Sequence, residues 1–188
     1  GIISLEKFKE LQINEKKNTN TFIYNESAIF IDSRKKELGG RIISSLEKLY
    51  LTIKKLSLNI RENHEYFSEA HLASVPIKYL KNLQNNLFGL EANFEKFTAI
   101  DFKKGCYIGQ ENTARMKLKN KIRKKLFALS SNESLSVGNE ITLNKNLIGK
   151  ILIGSPYPFG LIDFLKINLK ELENKEVLVG TQKVKIIL

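Results

Sequence analysis

The apolar positions change period along the chain, and the changes predict the elements. Leu5, Phe8 and Leu11 follow Ser4 at helical spacing, with the serine placed to cap a short helix. Thr21-Phe22-Ile23-Tyr24 and Ala28-Ile29-Phe30-Ile31 are β-rich runs on either side of Asn25-Glu26-Ser27, which predicts a hairpin with a three-residue loop. Gly39-Gly40 precedes the short run Arg41-Ile42-Ile43. Leu46, Leu49, Ile53 and Leu56 then line one face of a predicted helix from Ser45 to about Leu56. A second helix, from roughly Asn63 to Ala73, has to stop before Pro76. Residues 77–100 show no regular period.

After residue 120 the texture is that of short β-rich runs, at 122–130, 140–143, 147–153, 161–167 and 176–188. Gly138, Asn144-Lys145-Asn146, Ser155-Pro156 and Gly180 punctuate them. That rhythm predicts a small antiparallel barrel or sandwich. The expected fold is α+β, with one domain over 1–120 and a β-barrel domain over 121–188.

Composition narrows the class. The chain has 188 residues, 42% of them hydrophobic, and three prolines, enough apolar content for a packed core and too much for a disordered chain. No run of ~18 apolar residues exists that would span a membrane. A single cysteine excludes a disulfide framework and a self-contained zinc or iron–sulfur site. No stably bound metal is expected. The first residue is Gly1 and no basic-then-apolar leader follows it, so a soluble protein of a reducing compartment is expected, its own N-terminus lying further upstream.

The net charge of +11 is unevenly placed. Residues 101–129 carry nine basic and two acidic side chains, a local +7, whereas the rest of the chain is close to balanced. Within this stretch Arg115, Lys117, Lys119, Lys121 and Arg123 alternate with Met116, Leu118, Asn120 and Ile122. Period two predicts a strand with cations on one face. Such a face is either simply solvated or a strip for phosphate, polyglutamate or RNA.

The densest chemistry lies just before that run, in Asp101-Phe102-Lys103-Lys104-Gly105-Cys106-Tyr107-Ile108-Gly109-Gln110-Glu111. Lys103 and Lys104 would favour a thiolate at Cys106 and make it a better nucleophile or metal ligand. Gly105 and Gly109 would let the backbone turn sharply or approach a ligand. The same pattern also fits a buried, inert cysteine in a loop with its lysines in water. His64 and His71 sit seven apart without carboxylate or thiol partners, a pattern of surface or core histidines more than of a metal site.

Lys104-Gly105-Cys106-Tyr107-Ile108-Gly109-Gln110-Glu111 resembles the K-G-C-Y-x-G-Q-E signature of the YgfZ family. That family comprises folate-binding relatives of the glycine-cleavage T-protein that assist iron–sulfur protein maturation. Asp32-Ser33-Arg34 with Leu38-Gly39-Gly40-Arg41 resembles the family's D-P-R…L-G-W-R segment, with Ser33 in place of Pro and Gly40 in place of Trp. Leu90-Glu91-Ala92-Asn93 resembles its P-L-E-A-N.

The resemblance implies the C-terminal part of a T-protein-like folate-binding domain followed by a small antiparallel β-barrel. It implies an accessory factor for iron–sulfur cluster assembly or repair, linked to tRNA modification through iron–sulfur enzymes, more than a self-sufficient enzyme. Cys106 is then the reactive residue, or one ligand of a cluster shared transiently with another protein. Glu91, Lys104, Gly105, Tyr107, Gln110, Glu111 and Arg115 are the implied cofactor-binding residues, for tetrahydrofolate or a derivative. The implied partners are iron–sulfur assembly proteins and client enzymes, with folate polyglutamate or tRNA on the basic strand at 115–125. The implied setting is a bacterial cytoplasm, or the mitochondrial matrix in a eukaryote. Two other functions fit parts of the pattern: a folate-dependent aminomethyltransferase of the T-protein type, and a basic tRNA-binding module.

Overall fold

The computed structural model describes residues 1–16, 18–105, 110–119, 121–165, 167 and 176–187. The chain divides into two compact units, Gly1–Glu69 and Ala70–Leu188. Helix and strand are mixed in the first, and a closed barrel dominates the second.

In the first unit, β1 (Ile2–Ile3), β4 (Gly40–Ile43), β3 (Ser27–Ile31) and β2 (Thr21–Tyr24) form an antiparallel sheet in the order β1-β4-β3-β2. Ser4 Oγ accepts from the Lys7 N–H at 3.2 Å to cap α1 (Leu5–Asn14), and Ser45 Oγ accepts from the Lys48 N–H at 3.3 Å to cap α2 (Leu46–Lys55). Phe8 and Leu11 of α1 join Phe22, Tyr24, Ile29 and Ile42 in one buried cluster, with Leu49 and Leu56 packed against it. Alternation along β2 and β3 places these residues on the helix-facing side of the sheet.

The hairpin loop is one residue shorter than its sequence suggests. Tyr24 pairs directly with Ser27, leaving Asn25 and Glu26 as a two-residue turn with φ of 47° and 57°. A two-residue loop with both residues left-handed matches the twist of the strands, and this outweighs the absence of glycine. Lys48 pairs with the Glu26 carboxylate over the turn. Gly39, at φ 75°, is obligatory for a second reason: a Cβ there would sit 2.0 Å from the Ile3 carbonyl oxygen.

The second unit closes β10 (Gln182–Ile187), β5 (Lys124–Ser130), β8 (Phe159–Asp163), β7 (Asn146–Ile153), β6 (Glu140–Leu143) and β9 (Glu176–Val179) into an antiparallel barrel in that order. The rhythm of short runs after residue 120 therefore resolves as a barrel and not a sandwich. Leu129, Ile141, Ile151, Ile162, Val177 and Val184 fill its interior.

A second buried cluster, Leu126, Ala128, Leu152, Ile153, Phe159 and Leu161, has Leu83 and Leu87 packed against it. Strands β5, β7 and β8 thus contribute to two apolar layers, which accounts for the unbroken Ile151-Leu152-Ile153 run. At Gly149 a Cβ would lie 2.3 Å from the Leu161 carbonyl oxygen, so the β7–β8 approach requires a residue without a side chain.

Candidate functional site

The segment 88–97 is a series of turns that fixes Glu91. Leu90, Ala92 and Phe97 are buried, and Asn93 adopts the left-handed conformation at φ 63°. Asparagine tolerates that region better than most residues. The half-buried Glu91 accepts the Phe88 N–H through Oε2 at 2.9 Å. Its main-chain carbonyl accepts the Leu126 N–H at 2.9 Å, which ties the segment to the barrel. The result is an oriented carboxylate, an acceptor-only group with capacity beyond the one bond it makes here.

The signature residues fall on both sides of a short stretch. Asp101 Oδ1 accepts the Lys103 N–H at 2.8 Å and shapes the turn that leads to the exposed Lys104 and Gly105. A Cβ at Gly105 would meet nothing within 4 Å, so crowding does not demand glycine there in this conformation. Cys106 and Tyr107, with Ile108 and Gly109, lie outside the described residues. Gln110 is half-buried at the start of α4 (Gln110–Leu118), and Glu111 is exposed in its first turn.

The basic strand expected at 115–125 is not formed. Residues up to Leu118 are the end of α4, and strand geometry begins at Lys124. Gln, Glu, Ala, Arg, Met, Lys and Leu are straight-chain or small helix formers, and Thr113 is the one β-branched residue among the nine. Their propensity outweighs an alternation only a few residues long. The Arg115 guanidinium reaches Glu111 Oε1 at 2.6 Å, an i,i+4 pair available only on a helix. Lys117 pairs with Glu95 and lies 5.2 Å over the Phe102 ring, which joins α4 to the turn segment. Of the five alternating cations only Arg115 and Lys117 lie in α4, and both are engaged.

Of the two histidines, one is a surface and the other a core residue. His64 is exposed at the start of α3 (Asn63–Leu72), while His71 near its end is buried. His71 Nε2 lies 3.0 Å from the Pro158 carbonyl oxygen, which only accepts, so this nitrogen carries the hydrogen. The Phe159 ring meets the imidazole edge-on at 5.2 Å. Burial pushes the His71 pKa below its ordinary value, although the bond to Pro158 opposes that. Among the described residues no group of three or more His, Cys, Asp or Glu is placed to hold a metal ion. No helix among them is long and apolar enough to cross a membrane.

A cluster that sequence reasoning did not assemble lies in the first unit. Asp32, 3% exposed, accepts five hydrogen bonds. Oδ1 takes the Arg34 main-chain N–H and Nε–H, both at 3.0 Å, and Oδ2 takes Arg34 Nη2 at 2.7 Å. Arg41 adds Nε and Nη2 to Oδ2 at 3.0 and 2.9 Å. Burial alone would raise the Asp32 pKa, but the two guanidiniums outweigh it and hold the carboxyl at about 2. Tyr66 of α3 accepts from both Nη2 atoms, at 3.1 Å from Arg34 and 2.7 Å from Arg41. The Asp32…Arg34…Arg41 pattern is visible in the sequence; Tyr66, 25 residues beyond Arg41, carries no local signal.

The architecture is therefore a small antiparallel sheet with helices, then a unit built on a closed six-strand barrel, with an oriented glutamate tied to strand β5. No family model matches the chain. Curated proteins similar to it share one name. It is 28% identical over 125 residues to the mitochondrial iron–sulfur cluster assembly factor IBA57 homolog of Dictyostelium discoideum, covering 64% of this chain and 31% of that protein. It is 30% identical over 95 residues to the mitochondrial IBA57 homolog of Pyricularia oryzae, covering 50% of this chain and 24% of that one. Over 37 residues it is 54% identical to the homolog of Phaeosphaeria nodorum, 20% of this chain and 9% of that protein. The matches thus span less than a third of the length of each of these relatives.

Proposed function

We propose that this chain belongs to a folate-binding accessory factor for iron–sulfur cluster assembly or repair, with Cys106 as its reactive centre. The observation that carries the reading is its similarity to proteins named as mitochondrial iron–sulfur cluster assembly factors. The Lys104–Glu111 signature, which resembles that of the YgfZ family, also supports it.

One thiolate supplies one ligand, whereas a four-iron cluster in its usual form takes four. Cys106 therefore acts as a transient ligand or redox-sensitive thiol on a cluster whose other ligands come from an assembly protein or client enzyme. The cluster is cargo in this reading.

Tetrahydrofolate would supply one-carbon carrier chemistry when bound. Glu91 fits the pterin end: its carboxylate is half-buried, oriented by the Phe88 N–H, and suited to ring and amino N–H donors. Lys104 and Arg115 offer charge to the anionic tail, Arg115 by exchanging its bond to Glu111. Gly105, Tyr107, Gln110 and Glu111 are the remaining signature positions around the thiol. The reading places the factor where iron–sulfur enzymes mature, the mitochondrial matrix of a eukaryote or the cytoplasm of a bacterium.

The experiment is complementation of cells lacking the endogenous factor, scored by the activity of iron–sulfur enzymes. The unaltered protein is expected to restore activity and Cys106→Ala to fail. No restoration by the unaltered protein overturns the assembly role. Full restoration by Cys106→Ala overturns the role of the thiol.

A further inference from the structure

The Asp32 cluster holds two guanidiniums against one carboxylate, so one positive charge remains uncompensated. Its layering is that of a site. The carboxylate is 3% exposed, whereas the side chains of Arg34 and Arg41 are 29% and 32% exposed and so reach solvent above it. An ionised carboxylate offers about four lone-pair positions, and five N–H groups already converge on this one. Asp32 is saturated, and both guanidinium planes are locked before any ligand arrives.

Tyr66 adds direction. Its hydroxyl oxygen accepts from Nη2 of both arginines, so its own O–H must point away from them. Among the described residues, Nη1 of Arg34, Nη1 of Arg41 and the Tyr66 O–H have no protein acceptor. The hydroxyl and the two guanidiniums bonded to it thus offer three donors with net positive charge, none of them used to hold the fold.

We propose that Arg34, Arg41 and Tyr66 form a binding site for an oxyanion, the carboxylate or phosphate group of a small ligand. Guanidinium groups match the planar geometry of both, and their immobilisation by Asp32 removes most of the side-chain entropy that binding would otherwise cost. Asp32 remains ionised across the physiological range, so the site keeps a single net positive charge there. The proposal stands independently of the iron–sulfur reading, because it uses neither Cys106 nor Glu91.

The test is titration of the full chain, labelled with nitrogen-15 in arginine, with inorganic phosphate and separately with glutarate at low ionic strength. The Nε–H signals of the arginines report the site directly, so ions bound diffusely to the many lysines do not count. Saturable shifts of the Arg34 and Arg41 signals are expected with at least one probe. The tighter probe, glutarate or phosphate, identifies whether the group is a carboxylate or a phosphate.

Tyr66→Phe, which removes one donor and keeps the ring, is expected to weaken that binding about tenfold or more. Arg34→Lys keeps the charge and loses the fork, and serves if Tyr66→Phe does not fold; it is expected to weaken binding by at least as much. Absence of saturable shifts with both probes up to roughly 10 mM overturns the site. So does unchanged affinity in a folded Tyr66→Phe or Arg34→Lys protein.

Discussion

Asn93 donates from Nδ2 to the Leu126 carbonyl oxygen at 2.7 Å, while the N–H of the same leucine donates to the carbonyl of Glu91 at 2.9 Å. Leu126 sits opposite Leu161 of β8, and on the other side the described pairs of β10 with β5 run from Lys185–Ser130 to Ile187–Ala128. At Leu126 the 91–93 segment bonds the main chain of β5, in part with a side chain acting as a surrogate peptide group. The position of the Glu91 carboxylate is therefore set by the barrel, not by a helix of its own. A residue proposed to read a pterin is thus held through strand β5 of the barrel.

Removing that surrogate is expected to be costly. Asn93→Ala leaves the carbonyl of a buried residue without its partner and should destabilise the protein by about 1–3 kcal/mol in chemical denaturation. Asn93→Gly separates the two roles of the residue, since glycine relieves the left-handed backbone at φ 63° but restores no hydrogen bond. A loss of similar size in both variants assigns the effect to the bond. Recovery in the glycine variant alone assigns it to the backbone.

Asp32 makes the stability of the first unit sensitive to acid. Its folded pKa of about 2 lies below the roughly 3.9 of an unfolded aspartate, so the unfolded chain takes up this proton first. The stabilisation is complete above about pH 4 and is lost as pH falls through 4 toward 2. Asp32→Asn should flatten that part of the stability profile. It should also cost about 2–3 kcal/mol at neutral pH, less than for a fully buried pair because both arginines reach solvent. Denaturant midpoints measured from pH 2 to 7 check both parts.

His71 acts in a different window. Its folded pKa is lowered from 6.5, chiefly by burial, so the unfolded chain protonates first as pH falls below that value. Stability from the neutral ring is complete above pH 6.5 and declines below it, toward the lower folded pKa. The imidazole Cε1–H signal is expected to titrate below 6.5 in the folded protein. His71→Phe preserves the aromatic packing on Phe159 and gives up the bond to Pro158, and should remove this segment of pH dependence.

How much was legible before the structure depends on the range of the interactions. Ser4 and Ser45 announce their helices because a cap is a local event three residues long. Gly138, Asn144 and Gly180 announce the barrel turns for the same reason, each having positive φ. The 115–123 run misleads because its first four residues belong to α4, where a short alternation can arise by chance, whereas the Glu111–Arg115 pair and the scarcity of β-branched residues both pointed to helix. Asp32, Arg34 and Arg41 stand out in the sequence as a motif, but their joining with Tyr66 was out of reach because it comes through sheet pairing and α3, not through spacing.

Helix α4 gives the last prediction, because it follows the signature and its conformation decides what the basic run can do. In the helix, the residue 114 N–H lies where it bonds the Gln110 carbonyl, so Ala114→Pro removes that bond and forces a clash one turn back. The expected cost to the helix is about 3 kcal/mol, against about 1 kcal/mol for Ala114→Gly. Far-UV circular dichroism should show loss of one short helix with proline and a small loss with glycine, with the β signal of the barrel unchanged in both. In the complementation assay the proline variant should behave like Cys106→Ala and the glycine variant close to the unaltered protein. A strand at these positions predicts the opposite for structure: neither variant would lower helix content, and Met116→Ile or Leu118→Val would stabilise the protein instead of costing a few tenths of a kcal/mol.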